Sequence, residues 1–191
     1  MHPPNATLAG PGDPAPDASL VNLDGLLEML SKAWRERPAA VIFLRYFGCP
    51  ICRQQVLRLR CDRERFERAG MEVVLVGHGG PDDARRFVEA RPVPFRVLVD
   101  PSRAAYERFG LKRGSIPQVF GPQCVAPMVR AALQPNCRQG LPNGGNLMQM
   151  PGAFVVDTTG VILLAHRSET ITDNPTTDQL LGALGGERRA A

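Results

Sequence analysis

Residues 41–60 read VIFLRYFGCPICRQQVLRLR, and the rest of the chain is organised around them. The stretch starts as an apolar, β-branched and aromatic run, the pattern of a buried strand. It breaks at Gly48 and presents Cys49-Pro50-Ile51-Cys52. Good helix formers follow, with Cys52, Val56, Leu59 and Phe66 recurring on one helical face. Strand, tight turn, C-x-x-C and helix together make a chemical device. Cys49 falls at the first helical turn, where unpaired backbone N–H groups and the helix dipole favour a negative charge. That setting lowers a thiol pKa and raises the thiolate fraction. Cys52 lies one turn further along the same face and can close a disulfide with Cys49. Pro50 suits the first turn because no helical hydrogen bond is lost there.

The chain has 191 residues, enough for one domain with a sizeable core. With 43% hydrophobic and 22% charged residues, it has the composition of an ordinary soluble globular protein. A formal charge of +4 is mild, and the arginines are spread rather than interleaved with aromatics, so nucleic acid is not an expected partner. The opening MHPPNATLAGPGDPAPDA lacks a basic region followed by an apolar one, so no signal peptide is read. No apolar run approaches the roughly 20 residues that span a bilayer. The expectation is a cytoplasmic protein with no membrane partner. Five cysteines are present, Cys49, Cys52, Cys61, Cys124 and Cys137. An odd count without a signal argues against a secreted disulfide scaffold, and a C-x-x-C within a βαβ pattern points to redox chemistry or metal binding.

Taken in order, residues 1–17 are rich in Pro, Gly and Ala and read as a flexible N-terminal arm. Residues 18–191 form the domain. Residues 19–23 suit a short edge strand. From Asp24 the spacing of Leu23, Leu26, Leu27, Leu30 and Trp34 predicts an amphipathic helix ended by Pro38. After the Cys49 helix, residues 71–76 (MEVVLV) and 95–99 (FRVLV) are further buried strands. Pro81 opens a short helix between them, carrying Phe87 and Val88. Asp100-Pro101 is a fitting N-cap and first-turn pair for a helix through Phe109. Residues 112–150 break the alternation and read as an insertion with one helix, its apolar face made of Val125, Met128, Val129, Ala132 and Leu133. Residues 153–156 and 161–165 are strands joined by a turn at Asp157-Thr158-Thr159-Gly160. Asn174-Pro175 leads into a last helix with Leu180, Leu181 and Leu184 on one face. The order βαβαβα, insertion, hairpin, helix predicts an α/β fold whose parallel core sheet is made mixed by the hairpin, with helices on both faces. Cys49 then lies at the carboxyl end of a central strand, the usual place for a site in an open α/β sheet.

FGCPICRQQ after the first long strand and PGAFVVDTTGVILLAHRS near the end resemble the thioredoxin-fold redoxins. More closely, the chain resembles the peroxiredoxin-like branch of the alkyl hydroperoxide reductase/thiol-specific antioxidant (AhpC/TSA) superfamily. GDPAPDASLVNLDG is similar to the redoxin lead-in, and AYERFGLKRG, the insertion and DNPTTDQLL resemble that branch. The likeness covers roughly residues 12 to 185. It implies a thioredoxin-like fold and a redox-active pair at Cys49 and Cys52. It implies no dissociable cofactor, a thiol, disulfide or peroxide substrate, an external thiol reductant such as a thioredoxin, and a capacity to form a homodimer. Pro151 matches the spot where thioredoxins carry a cis-proline that packs on the C-x-x-C and leaves backbone free to pair with a substrate. One departure concerns the P-x-x-x-T/S-x-x-C site of true peroxiredoxins. Counting back from Cys49 gives Tyr46 and Ile42; counting back from Cys52 gives Cys49 and Arg45. Neither register fits. The Trp-Cys-Gly-Pro-Cys of thioredoxin is not matched either.

Three chemistries follow. Cys49, as the exposed first-turn cysteine, can attack a disulfide sulfur, with the more buried Cys52 resolving the mixed disulfide. It can instead attack a peroxide, with Cys52 resolving the sulfenic acid. Or the pair is a non-catalytic metal-binding or interaction module, which needs a His within reach of both sulfurs. The enzyme readings need an accessible Cys49 of low pKa; two sulfurs buried away from solvent would favour the module. Gly48, Arg53 and Pro151 are the candidate substrate contacts. Arg45 and Arg167 are further cations for a thiolate, and His78 and His166 are candidates for proton transfer. Cys61 falls on the opposite side of the helix from the pair. Cys124 or Cys137 is a candidate remote resolving thiol.

Overall fold

The computed structural model describes residues 8–90, 92–134 and 146–187. Ala39–Phe43 forms strand β3, and its five residues are all buried. Side chains alternate across a strand. Ala40 and Ile42 enter one apolar cluster, Ala39, Val41 and Phe43 a second cluster on the other face. A strand must be apolar at every position to do this, which is why the run shows no polar alternation. β3 pairs in parallel with β4 (Glu72–Gly77), and β4 in parallel with β5 (Arg96–Val99). On the other side β3 meets β6 (Gly152–Val156) antiparallel, and β6 continues into β7 (Ile162–Arg167). Two short strands, β1 (Ser19–Val21) and β2 (Leu27–Met29), complete a sheet of order β2-β1-β5-β4-β3-β6-β7.

One face carries α1 (Pro50–Cys61), α2 (Arg63–Ala69), α3 (Pro81–Glu89) and α7 (Thr177–Glu187), which contribute Val56, Leu59, Phe66, Phe87 and Leu180 to the first cluster. The other face is closed by α4 (Ala104–Arg108) and a short 3₁₀ helix (Leu30–Trp34), with Tyr106, Leu30 and Trp34. The Tyr106 hydroxyl lies 2.5 Å from the Leu44 carbonyl and 3.0 Å from that of Val76. It shares one proton between the carboxyl ends of β3 and β4, where the C-x-x-C segment begins. The 157–160 turn forms as read: the Asp157 carboxylate accepts from the Thr159 and Val161 N–H groups, and Gly160 takes φ +86°.

Five expectations are corrected. Residues 24–34 are not an α-helix; they form β2 and the 3₁₀ helix, and Leu26 and Leu27 stand in solvent. Leu30 and Trp34 are buried, because the 3₁₀ helix lays them on the second face of the sheet. The edge strand is β2, with β1 between it and β5. Helix α4 begins at Ala104 rather than at Pro101, and Arg103 enters it at φ 64°. The Asp100 carboxylate still serves its amino end, accepting from the Ala105 N–H at 2.7 Å. Among its described residues the insertion holds two helices, α5 (Ile116–Phe120) and α6 (Pro122–Leu133), separated by Gly121. α6 packs on α1 with its small residue Ala131 inward, so Val125, Val129 and Leu133 face solvent instead of covering the core. Small side chains permit the close approach, and the larger ones are left outside. Finally, the described part of the N-terminal arm is tied down. Gly12 N–H donates to the Ile162 carbonyl at 2.8 Å and Ala15 N–H to that of Gly160 at 2.7 Å.

Gly77, the last residue of β4, is covered by the Phe47 ring; a Cβ there would fall inside the ring's van der Waals envelope. Gly77→Ala is therefore expected to cost about 1–3 kcal/mol of unfolding free energy through overpacking. Urea denaturation checks it, and unchanged stability would show that the Phe47 loop yields freely.

Candidate active site

Cys49 is the N-cap of α1, with φ −68° and ψ 121°, and Pro50 occupies the first helical position. The Cys52 N–H points back at the Cys49 sulfur at 3.5 Å. A helix N-terminus is short of acceptors, so a thiolate at the cap satisfies orphan N–H groups and sits at the positive end of the dipole. Arg45, two residues beyond the end of β3, completes the arrangement. Its backbone N–H donates to Cys52 Sγ at 3.3 Å, and its Nη1 reaches Cys49 Sγ at 3.7 Å. The guanidinium is itself held by the carbonyls of Gln149, at 3.1 Å, and Leu147. Gln149 is fixed in turn: its buried amide donates to the carbonyls of Leu111, Lys112 and Met150.

Burial pushes the Cys49 thiol up, but the Cys52 side chain, the Arg45 charge and the backbone N–H groups of Cys52 and Ile51 outweigh it. The pKa falls from the ordinary 9.0 to about 6. Cys52 moves the other way, well above the usual thiol range, through burial first and then the neighbouring Cys49 thiolate. The two sulfurs are thus split into a thiolate and a thiol that donates to it. The direction of the asymmetry favours ionisation of Cys49 over Cys52.

Accessibility does not match. Cys49 is 1% exposed and Cys52 2%, so the exposed first-turn nucleophile is a correction. Tyr46 and Phe47 are buried beside the pair, and Arg45 with the 147–149 segment closes over it. Gly48 alone in this loop is partly open to solvent. Arg53 donates through Nε to the Phe47 carbonyl at 2.9 Å, holding the loop, while the charge felt by Cys49 is that of Arg45. Pro151 directly follows the Gln149-Met150 segment that grips Arg45. Its peptide bond is trans, so of the two forms open for it, the cis-proline of thioredoxins and an ordinary strand-opening proline, it takes the second.

The remaining candidates are dispersed. Arg167 donates to the carbonyls of Phe109 and Ala9 and lies over the Phe154 ring. His166 faces Asp173 at 3.2 Å. His78 is buried on the loop after β4, its pKa lowered by burial, with its ring centroid 6.0 Å from that of Tyr106. Cys61 is exposed, and Cys124 is buried in a separate cluster with Val119, Met150 and Ile171. Cys137 lies outside the described residues. Among the described residues no group of three His, Cys, Asp or Glu side chains is placed to hold a metal ion. Among them, too, no helix is long and apolar enough to cross a membrane. The sequence reading missed Gln149 and Leu147, because carbonyl acceptors leave no residue-type signature.

A C-x-x-C capping the helix after a central strand of a mixed sheet, beside a C-terminal β-hairpin, defines a thioredoxin-like redoxin. Residues 58–170 match the family described as AhpC/TSA antioxidant enzyme, and the chain belongs to that family. The matched span begins after Cys49 and Cys52. Among curated proteins, the chain is 29% identical over 125 residues to the thioredoxin-like protein AAED1, chloroplastic, of Arabidopsis thaliana, covering 65% of this chain and 50% of that protein. The alignment thus spans half the length of that relative. The chain is 28% identical over 162 residues to the prostamide/prostaglandin F synthase of Xenopus tropicalis, covering 80% and 75%. It is 25% identical over 162 residues to human peroxiredoxin-like 2C, covering 80% and 70%. Among solved structures, peroxidoxin BcpB of Mycobacterium tuberculosis superposes with a TM-score of 0.69 at 20% identity, covering 93% of this chain and 97% of that one. A peroxiredoxin-like protein of Aquifex aeolicus gives 0.67 at 17% identity, covering 95% and 89%. These two establish the shared fold.

Thiolate absorbance at 240 nm tests the electrostatics. One thiolate should appear with a midpoint near pH 6, vanish in Cys49→Ser, and move upward in Arg45→Met, which keeps the bulk and removes the charge. The folded pKa is depressed, so this group's stabilising contribution is present above the unfolded thiol value and is lost as pH falls through about 6. Thiols that all titrate in the ordinary range would sink the assignment.

Proposed function

We propose that the protein is a thiol–disulfide oxidoreductase in which Cys49 is the nucleophile and Cys52 the resolving thiol. The observation that carries this is the placement of the pair: Cys49 caps α1, accepts from the Cys52 N–H and lies 3.7 Å from Arg45 Nη1, which favours its thiolate, while burial holds Cys52 toward the thiol form. The Cys49 thiolate attacks one sulfur of a substrate disulfide, forming a mixed disulfide and expelling the other sulfur as a thiolate. Once Cys49 is neutral, the thiolate that opposed ionisation of Cys52 is gone. Cys52 then loses its proton and attacks Cys49 Sγ, closing the 49–52 disulfide and releasing the reduced substrate. An external dithiol such as a thioredoxin returns both electrons, a cycle suited to a reducing compartment such as the cytoplasm. The part-open Gly48, Arg53 on the Phe47 carbonyl, and Pro151 beside the Gln149 anchor form the approach to the pair.

Burial of Cys49 favours a second reading, thiol peroxidase activity, because hydrogen peroxide is small enough to reach a sulfur that a protein disulfide reaches only after the loop moves. Cys49 would take one peroxide oxygen and become a sulfenic acid; condensation with Cys52 would release water and leave the same disulfide. Arg45 is the cation available to the departing oxygen, while the hydroxyl of the P-x-x-x-T/S-x-x-C pattern is absent. The third reading, a non-catalytic module, accords with two buried sulfurs but not with a lowered Cys49 pKa.

Mass spectrometry across a graded dithiol/disulfide buffer decides among them. The oxidoreductase reading expects a reversible loss of two hydrogens mapping to residues 49 and 52, abolished in Cys49→Ser and Cys52→Ser. Rapid sulfenic acid on Cys49 in Cys52→Ser after a peroxide pulse would promote the peroxidase. If no 49–52 disulfide forms across the whole range, both enzyme readings fall and the module stands.

A further inference from the structure

A groove of about 280 Å³ opens near the end of β7, lined by neither cysteine of the pair. Its size is near the lower end of the range for small-molecule sites. Three cations line it from separate places in the chain: Lys112 and Arg113 after α4, and Arg167 at the end of β7. Among the described residues no carboxylate pairs with any of the three. Arg167 is partly buried; its hydrogen bonds go to neutral backbone carbonyls and its guanidinium lies over the Phe154 ring, so no anionic group faces its charge among the described residues. A desolvated guanidinium without a counter-ion is costly and favours an anion beside it.

The groove also holds a hydroxyl with nothing to bond. Ser168 is 8% exposed, lines the groove, and its Oγ has no hydrogen-bond partner. Buried hydroxyls are normally satisfied, so an orphan beside three cations marks a place prepared for an acceptor. Residues 108–156 contain no Asp or Glu, and the single acid in the lining is the exposed Glu169. Leu8, Leu111, Met150 and Pro151 give the wall its apolar part, and Gln118 adds one neutral polar side chain. Leu8 and the Arg167 guanidinium pack directly on Gly110, at φ +71°, where a Cβ would clash with Leu8.

We propose that this groove binds a small organic anion with an apolar body. A carboxylate or phosphate-ester head meets Lys112, Arg113, Arg167 and the Ser168 hydroxyl, and the body lies on Leu8, Leu111 and Met150. The groove shares Pro151 with the proposed approach to the pair, but its test does not use a redox readout.

Isothermal titration calorimetry on the full chain tests it with hexanoate and hexyl phosphate, against hexanol and inorganic phosphate. At least one hexyl anion should bind about tenfold or more tightly than both controls, and whichever head binds better names the class. The double variant Lys112→Ala/Arg113→Ala should weaken binding by about tenfold, since two charge-assisted contacts are lost. Ser168→Ala should weaken it several-fold without lowering the thermal midpoint, because the hydroxyl makes no internal bond to lose. The proposal is overturned if neither hexyl anion binds, if hexanol or phosphate binds as well, or if both variants bind like the parent.

Discussion

The structure depends on a buried guanidinium. Arg45 is 3% exposed and lies among apolar side chains, where a charge is tolerated only if it is paired and hydrogen-bonded. Its partners are two backbone carbonyls and a sulfur, and each has a structural consequence. The carbonyls of Leu147 and Gln149 tie the end of the insertion to the end of β3. The sulfur of Cys49 gains a cation where burial alone would keep it protonated. Charge and thiolate compensate one another, so the cost of burying either is reduced by the other. The arrangement needs a rigid base. Tyr106 supplies it by bridging the carboxyl ends of the two central strands.

Much of this was legible in the sequence, for identifiable reasons. The buried strands could be read because both faces of the sheet are covered, so β3 and β4 carry unbroken apolar runs. The helix after the C-x-x-C showed itself through Cys52, Val56, Leu59 and Phe66, all buried as expected, although Asp62 interrupts it between α1 and α2. Cys61 on the opposite side is exposed. The hairpin was marked by Asp157 and Gly160, whose side-chain acceptor and positive φ are intrinsic to those residue types.

The failures also have causes. Leu26, Leu27 and Leu30 satisfy a helical period, but a short strand followed by a 3₁₀ turn places the same residues with only some of them inward. The apolar stripe of α6 could be read but not placed, because periodicity reports which residues share a side and not which side is covered. Access to Cys49 was misjudged for a similar reason. Position at a helix cap fixes the electrostatics of a thiol, but the segments that pack over it come from distant parts of the chain, from Tyr46 and Phe47 to the 147–149 stretch. A trans bond before Pro151 shows that matching position in a fold does not carry backbone isomer with it.

The capping role of Cys49 sets the direction in which the pair can do work. The thiolate is the form that Arg45 and the helix amino end stabilise, and a neutral disulfide sulfur would forgo both interactions. Any stabilisation of the reduced state must appear, through a thermodynamic cycle, as a higher reduction potential for the 49–52 couple. A disulfide formed at this site is therefore a comparatively strong electron acceptor, readily surrendered to an incoming dithiol. In the proposed cycle, the geometry that favours the Cys49 thiolate would work against the closed form of the pair as a resting state.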